Sequence, residues 1–403
     1  MTFLKSVVYG IASNLRKSRQ RKPAGSRSYA CQCERRVFFR NRACLACHTP
    51  LGYEPTTARV VPLQEGTEPG TWAVYGTTGG TQFMRCANFD TAAGCNWLVH
   101  PDSTTPLCLA CCLNRTIPVQ DDPENQILWG KIELAKRRLV SQLLSLGLPV
   151  RSKETDDTEH GLAFDFLRAL PDGPVVMTGH ANGIITLNVE EADDATRERV
   201  RAAMREPYRT LLGHLRHEVG HYYWDRLVWD SVWLEEFRTL FGDERASYAD
   251  ALKKNYEEGP PADWALRFVS TYAASHPWED WAETWAHYLH MHDTLDTALS
   301  FGLGADDVEI DFEPFSRDVL WQPDVDGAQE FLDFVNAWVE LTGVLNEMSR
   351  SMGVHDFYPF VLNRPVVAKL QFIHCVVREA RAASRARTAP SVPSVPAAPE
   401  KSA

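Results

Sequence analysis

No apolar run in this 403-residue chain approaches the roughly 20 residues needed to cross a bilayer, which argues against a membrane-spanning protein. A convincing secretory leader is also missing, because the apolar part of Met1–Ile11 is short and broken by Tyr9-Gly10. Acid is absent from residues 1–30, and the first 42 residues hold eleven Lys or Arg against one acid, Glu34. The overall net charge of -11 therefore leaves about -21 on the remainder. Such an acidic body is a poor general binder of nucleic acid. Cysteine is nearly absent outside one window: nine of ten lie between Cys31 and Cys112, and Cys375 stands apart. With no leader, the expected compartment is the cytoplasm, or an organelle matrix if the basic start is a transit peptide. There, clustered cysteines read as metal ligands rather than as a disulfide framework.

What is present divides the chain without any internal repeat. Residues 1–30 read as a basic disordered arm, and residues 384–403, rich in Ala, Pro and Ser, read as a disordered tail. Residues 31–119 combine Cys, Gly and Thr with short strand-prone pieces such as Thr71–Tyr75, which describes a small module in need of staples. After a boundary at 119–123, Leu128, Ile132, Ala135, Leu139, Leu143 and Leu146 recur on one helical face. Val175–Met177 and Gly183–Val189 follow as strands, and helices dominate from Asp193 to about Arg381. Strands early and helices late make residues 123–381 an α+β domain.

Two sets of four cysteines can be drawn. Cys31-x-Cys33 goes with Cys44-x2-Cys47, and Cys86 and Cys95 go with Cys108-x2-Cys111. A Cys-x2-Cys turn presents two sulfurs to one metal, and two such elements complete a tetrahedral zinc shell. Cys112 could replace Cys111, and His48 or His100 could substitute for a thiolate; iron is chemically admissible too.

The second motif is His217-Glu218-Val219-Gly220-His221. On a helix, residues four apart share a face, so His217 and His221 can reach one zinc while Glu218 orients and deprotonates its water. The flanking Leu211, Leu215, Val219 and Tyr222 keep helical spacing, and Pro207 suits a first turn. A catalytic zinc takes a third protein ligand, and Glu279 and Glu283 offer carboxylates one turn apart in a Trp-rich helix. We assign Glu279 as the ligand and Glu283 as the group that hydrogen-bonds the far nitrogen of a ligand histidine. His214 reads as a packing histidine, and His287, His290 and His292 as a polar helix edge. Trp224, Trp229 and Trp233 read as core, and His180 and Asn182 as turn residues.

The His-Glu-Val-Gly-His-Tyr-Tyr-Trp-Asp run, the Ser-His-Pro-Trp-Glu-Asp-Trp-Ala-Glu-Thr-Trp-Ala-His-Tyr run and the cysteine module together resemble the zinc-binding metallopeptidases that carry an N-terminal zinc ribbon. In the wider gluzincin group the third ligand is a downstream Glu, with an acid four residues later against a ligand His; Glu279 and Glu283 match that spacing. The anthrax lethal factor catalytic domain is similar, with a Tyr seven residues before its ligand Glu. That resemblance implies that Tyr272 hydrogen-bonds the oxyanion. It also implies a zincin-like domain in which an edge strand, here Gly183–Val189, pairs with an extended peptide.

The resulting expectation is a peptidase with one catalytic and two structural Zn2+ ions acting on peptide or protein substrates. Two alternatives stay open: a non-catalytic zinc-stabilised scaffold, and a nucleic-acid-associated protease docking through the zinc module and basic arm.

Overall fold

The computed structural model describes residues 27–170, 173–304 and 310–388. The cysteine-rich part opens with a hairpin of β1 (Tyr29–Ala30) and β2 (Arg36–Val37). It continues as an antiparallel meander of β3 (Leu51–Glu54), β4 (Arg59–Glu65), β5 (Trp72–Val74), β6 (Gln82–Arg85) and β7 (Leu98–Val99). Its apolar centre is small: the Tyr53 ring lies 4.5 Å from Trp97 and 5.0 Å from Phe39. So little buried surface leaves such a module dependent on cross-links.

The next strand leaves the module. β8 (Asn114–Thr116) pairs in parallel with β9 (Ala163–Leu167), inside a four-stranded sheet of order β10 (Gly179–Ala181), β11 (Ile184–Asn188), β9, β8. The boundary expected at 119–123 therefore separates segments that share one sheet. The expected edge strand is also displaced. Asn182 and Gly183 both adopt positive φ, 51° and 78°, a hairpin turn that folds β10 back over β11 and makes β10 the edge. Val175–Met177 forms no strand, since Val175 and Met177 are solvent-exposed and have no apolar face to cover.

Eight helices occur among the described residues, the first between β8 and β9 and the rest after β11: α1 (Pro123–Ser145), α2 (Asp194–Met204), α3 (Leu211–Leu227), α4 (Leu234–Phe241), α5 (Tyr248–Glu258), α6 (Pro277–Phe301), α7 (Ala328–Ser351) and α8 (Arg364–Thr388). The apolar stripe foreseen on α1 is buried at Leu128, Ile132, Leu139 and Leu143, and the Asp122 side chain caps the helix through the Glu124 N–H. α3 starts later than Pro207 suggested. Thr210 is its N-cap, accepting from the Gly213 N–H at 3.0 Å, and Pro207 lies outside the helix. None of the described helices is long and apolar enough to cross a membrane.

Both expected disordered ends are partly folded. Residues 1–26 and 389–403 lie outside the described residues, but Arg27–Ala30 belong to the fold and α8 runs through Ser384 to Thr388. Arg27 is buried because it has a partner in Asp293 of α6, at 3.0 Å. The same carboxylate accepts from Arg138 of α1 and Arg216 of α3, each at 2.8 Å. A second buried pair, Lys369 with Asp280 at 2.6 Å, ties α8 to α6.

α3 and α6 pack more closely than side chains at every position would allow. A Cβ on Gly220 would sit 3.1 Å from the Ala282 Cα and 3.2 Å from the Trp285 ring. Beside it the Trp281 indole donates to the Gly220 carbonyl at 2.8 Å, and Tyr223 stacks on Trp285. Gly220→Leu is expected to destabilise the fold by about 1–3 kcal/mol by overpacking this crossing. The measurement is urea unfolding beside Gly179→Ala, where an added Cβ meets open space, and an unchanged midpoint for Gly220→Leu would refute the close-packing account.

Candidate metal centre and active site

The cysteines collect into two clusters of free thiols. Cys31, Cys33, Cys44 and Cys47 form the first, and Cys86, Cys95, Cys108 and Cys111 the second. Short sulfur–sulfur distances are 3.6 Å for Cys31–Cys47, 3.7 Å for Cys33–Cys44 and 3.6 Å for Cys95–Cys108. A disulfide would bring sulfurs to about 2 Å, whereas four thiolates about 2.3 Å from a zinc stand roughly 3.8 Å apart. The donor set and spacing fit zinc in both clusters. Turn geometry builds them: Glu34 and His48 have positive φ, reversing the chain after each Cys pair of the first cluster.

The clusters differ in setting. Cys33 and Cys47 are partly exposed, while every cysteine of the second cluster is buried. The second packs on α1, where Cys111 Sγ lies 4.0 Å from Glu133 and Lys136 donates to Glu133 at 2.7 Å. Cys112 points elsewhere, toward the Leu107 carbonyl at 3.5 Å. His48 is exposed and His100 faces Asp102. Neither histidine belongs to a cluster.

The third group of converging donors is His217, His221 and Glu279. α3 aims both imidazoles toward α6, where Glu279 Oε2 lies 3.0 Å from His217 Nε2 and 3.6 Å from His221 Nε2. That Oε2 is buried and has no hydrogen-bond partner among the described residues, and it faces the two nitrogens. Glu279 sits here because His276 caps α6, its Nδ1 accepting from the Trp278 N–H at 3.1 Å. Glu283, one turn on, accepts from His217 Nδ1 at 2.7 Å and from the Ser270 hydroxyl at 2.6 Å. This fixes the His217 ring with Nε2 free toward Glu279.

Opposite charges pair across the two helices at this point. Burial alone would lower the His217 imidazole, yet Glu279 and Glu283 overcome burial and raise it well above its ordinary value. Burial likewise pushes Glu279 up, and His217 and His221 overcome it, leaving its carboxyl well below the usual range. Two imidazoles and a buried carboxylate with an unpaired oxygen are the donor chemistry of a catalytic zinc. Burial raises the carboxyl of Glu218, which is enclosed beside the two histidines.

Three groups around this centre were not among the assigned site residues. Tyr248, at the start of α5, donates to Glu279 Oε1 at 2.5 Å, occupying the oxygen that does not face the histidines. No spacing announces it, since it lies 31 residues upstream on an exposed helix. Ser270 carries no motif either. His180, read as a turn residue, is in β10 with its ring stacked on His221 at 6.4 Å. Burial and the neighbouring His221 bring it down to about 4, so it stays neutral and accepts from the Gly183 N–H at 3.1 Å. Tyr272 is half-buried, 5.8 Å from His217 between ring centres. Burial and Glu279 push its phenol far up, so it remains a hydrogen-bond donor.

The remaining histidines serve other partners. His287 meets the Tyr358 hydroxyl at 2.5 Å, His290 meets Arg216 at 2.6 Å and His292 meets Asp296 at 3.2 Å. His214 faces Glu191 at 3.4 Å. Trp224 is core as expected, but Trp229 is 54% exposed because it follows the end of α3 rather than its packed face. Cys111→Ser should remove one zinc per chain and lower the melting temperature, while Cys112→Ser keeps the full complement. Elemental mass spectrometry with thermal unfolding reads both, and the reverse pattern would exchange the two cysteines' roles.

Comparison with known proteins adds the family. A family model described as "putative zinc-binding metallo-peptidase" matches residues 125–376, and a zinc-ribbon domain model matches residues 28–122. Uncharacterized proteins of Mycobacterium tuberculosis and Mycobacterium bovis are each 41% identical over 355 residues, covering 88% of this chain and 96% of each relative. No solved structure matches it. With one family model covering most of the chain and a second covering its cysteine clusters, the protein belongs to the zinc-binding metallo-peptidase family and carries an N-terminal zinc-ribbon domain.

Proposed function

We propose that this protein is a zinc-dependent peptidase that hydrolyses peptide bonds, with His217, His221 and Glu279 as ligands of the catalytic metal and two further zincs in the cysteine clusters. The observation that carries this reading is the convergence of His217 Nε2, His221 Nε2 and the unpaired Glu279 Oε2 beside the buried carboxyl of Glu218. A zinc ion in that donor set supplies Lewis acidity and lowers the pKa of water toward neutrality.

The chain's own residues do the rest. Glu218 takes the proton of the attacking water and returns it to the leaving amine. Tyr272, a phenol that keeps its proton, donates to the oxyanion as it develops. Glu283 holds the His217 tautomer through Nδ1, with Ser270 fixing the second carboxylate oxygen. Tyr248 occupies Glu279 Oε1 and so leaves a single oxygen for the metal. The free edge of β10, which carries His180 beside His221, is where an extended substrate would pair.

Glu218→Gln is expected to abolish hydrolysis of a peptide library while the metal content stays at three per chain. His221→Ala should lower that content to two. Three zincs without hydrolysis by the native protein would favour the scaffold reading, and turnover by Glu218→Gln would end the proposed mechanism. The two tyrosines should separate. Tyr272→Phe lowers kcat by about 100-fold with zinc retained, whereas Tyr248→Phe weakens zinc affinity by about 10-fold or more. Chelator competition and steady-state kinetics distinguish them, and identical profiles would show that one role is misassigned.

A further inference from the structure

A second cavity, of about 640 Å³, lies where the zinc-ribbon domain meets α1, the start of α3 and the end of α6. Four cations line it, Arg27, Arg40, Lys131 and Arg138, and no acid among the described residues does. Lys131 is neutralised by Asp194 at 2.7 Å. Arg27 and Arg138 share one carboxylate, Asp293, with Arg216 of α3. Three guanidiniums on one buried carboxylate leave an excess of positive charge among the described residues. His290, against Arg216, adds no charge of its own, because burial and Arg216 hold its imidazole well below the ordinary value.

Two further features aim at a ligand. Arg40, at the mouth, makes no ion pair or hydrogen bond among the described residues. The first turn of α3 also opens here: Leu211 and Leu212 line the cavity, and the Thr210 hydroxyl occupies only the Gly213 N–H. The positive end of a 17-residue helix therefore adds to the cationic wall. The rest of the wall is apolar, with Phe39, Leu134 and Phe301 among it. Leu212 lies on the flank of α3 turned away from His217 and His221, so this cavity is separate from the metal centre.

We propose that this interdomain cavity is a binding site for a small amphiphilic anion, a carboxylate or phosphate head on an apolar body. The guanidiniums and helix end take the head, and the phenylalanine and leucine side chains take the body. Its place at the first turn of α3, about 9 Å along the helix from His217 by helical rise, puts an occupant on the element that carries both histidines. The site stands independently of whether the metal centre hydrolyses peptides.

The test is calorimetric titration of the full chain in its zinc-loaded form with decanoate and with decyl phosphate, beside decanol and acetate. One equivalent of either amphiphilic anion should bind, and decanol and acetate should bind at least about tenfold more weakly, since each keeps half of the recognition. Arg40→Glu and Leu134→Asp, both at partly exposed positions, should each weaken binding about tenfold or more without changing the melting temperature. His221→Ala should leave it unchanged. No binding by the native chain, equal binding of decanol, or insensitivity to Arg40→Glu and Leu134→Asp would overturn the proposal. So would loss in His221→Ala, which would put the anion on the catalytic metal instead.

Discussion

The close crossing of α3 and α6 is the constraint on which the metal centre depends. Three donors on two helices can meet only if the helix axes approach until backbone faces backbone, and Gly220 is the residue that permits it. The crossing is then held in register by the Trp281 indole on the Gly220 carbonyl, between the two histidines and their carboxylate partners in both sequence and space. Sliding one helix by a residue would rotate its donors by about 100° and separate His217 from both Glu279 and Glu283. The glycine within the His-Glu-x-x-His run is thus tied to the metal geometry through packing rather than through chemistry.

Charge buried around that crossing adds a second layer of registration. Asp293 gathers guanidiniums from the N-terminal end of the described chain, from α1 and from α3, while Asp280 binds Lys369 of α8. Each bond alone adds little net stability after desolvation. Each nevertheless has a single satisfactory arrangement, so together they specify which elements surround α6. The consequence for function is that the carboxylates of Glu279 and Glu283 are carried on a helix fixed from three sides.

What could be read in the sequence was local in spacing. The i,i+4 pairs of His217–His221 and Glu279–Glu283 and the Cys-x2-Cys turns are periodic signals, and the structure brings each set together. Tyr248 and Ser270 carried no such signal. They reach the centre through a loop and the end of an exposed helix, and a lone Tyr or Ser gives no pattern to find. The edge strand was misplaced by one hairpin: Asn182 is the turn residue it was read as, but β10 before it is only three residues long and carries no strand pattern. Pro207 suggested the helix start, but the helix begins after the side-chain cap at Thr210, which the sequence reading did not single out. Arg27–Ala30 looked like the end of a disordered arm since composition cannot reveal a buried counter-ion 266 residues away, Asp293.

The same non-local pairing changes what the zinc-ribbon domain is. Read as composition, it is a detachable module; in the fold its last strand, β8, completes the sheet that holds β10 and β11, and its second cluster rests on α1 beside Glu133 and Lys136. A tetrathiolate carries excess negative charge; the hydrogen bond with Cys108 lowers the Cys111 thiol most, and the buried Lys136 ammonium lowers it further. The buried cluster is therefore part of the seam between the domains, while the first cluster, with Cys33 and Cys47 partly exposed, closes a peripheral hairpin. Cys111, Glu133 and Lys136 therefore tie the zinc ribbon to α1, and β8 ties it to the sheet whose opposite edge is β10, so the ribbon cannot be detached without opening the domain that carries His217 and His221.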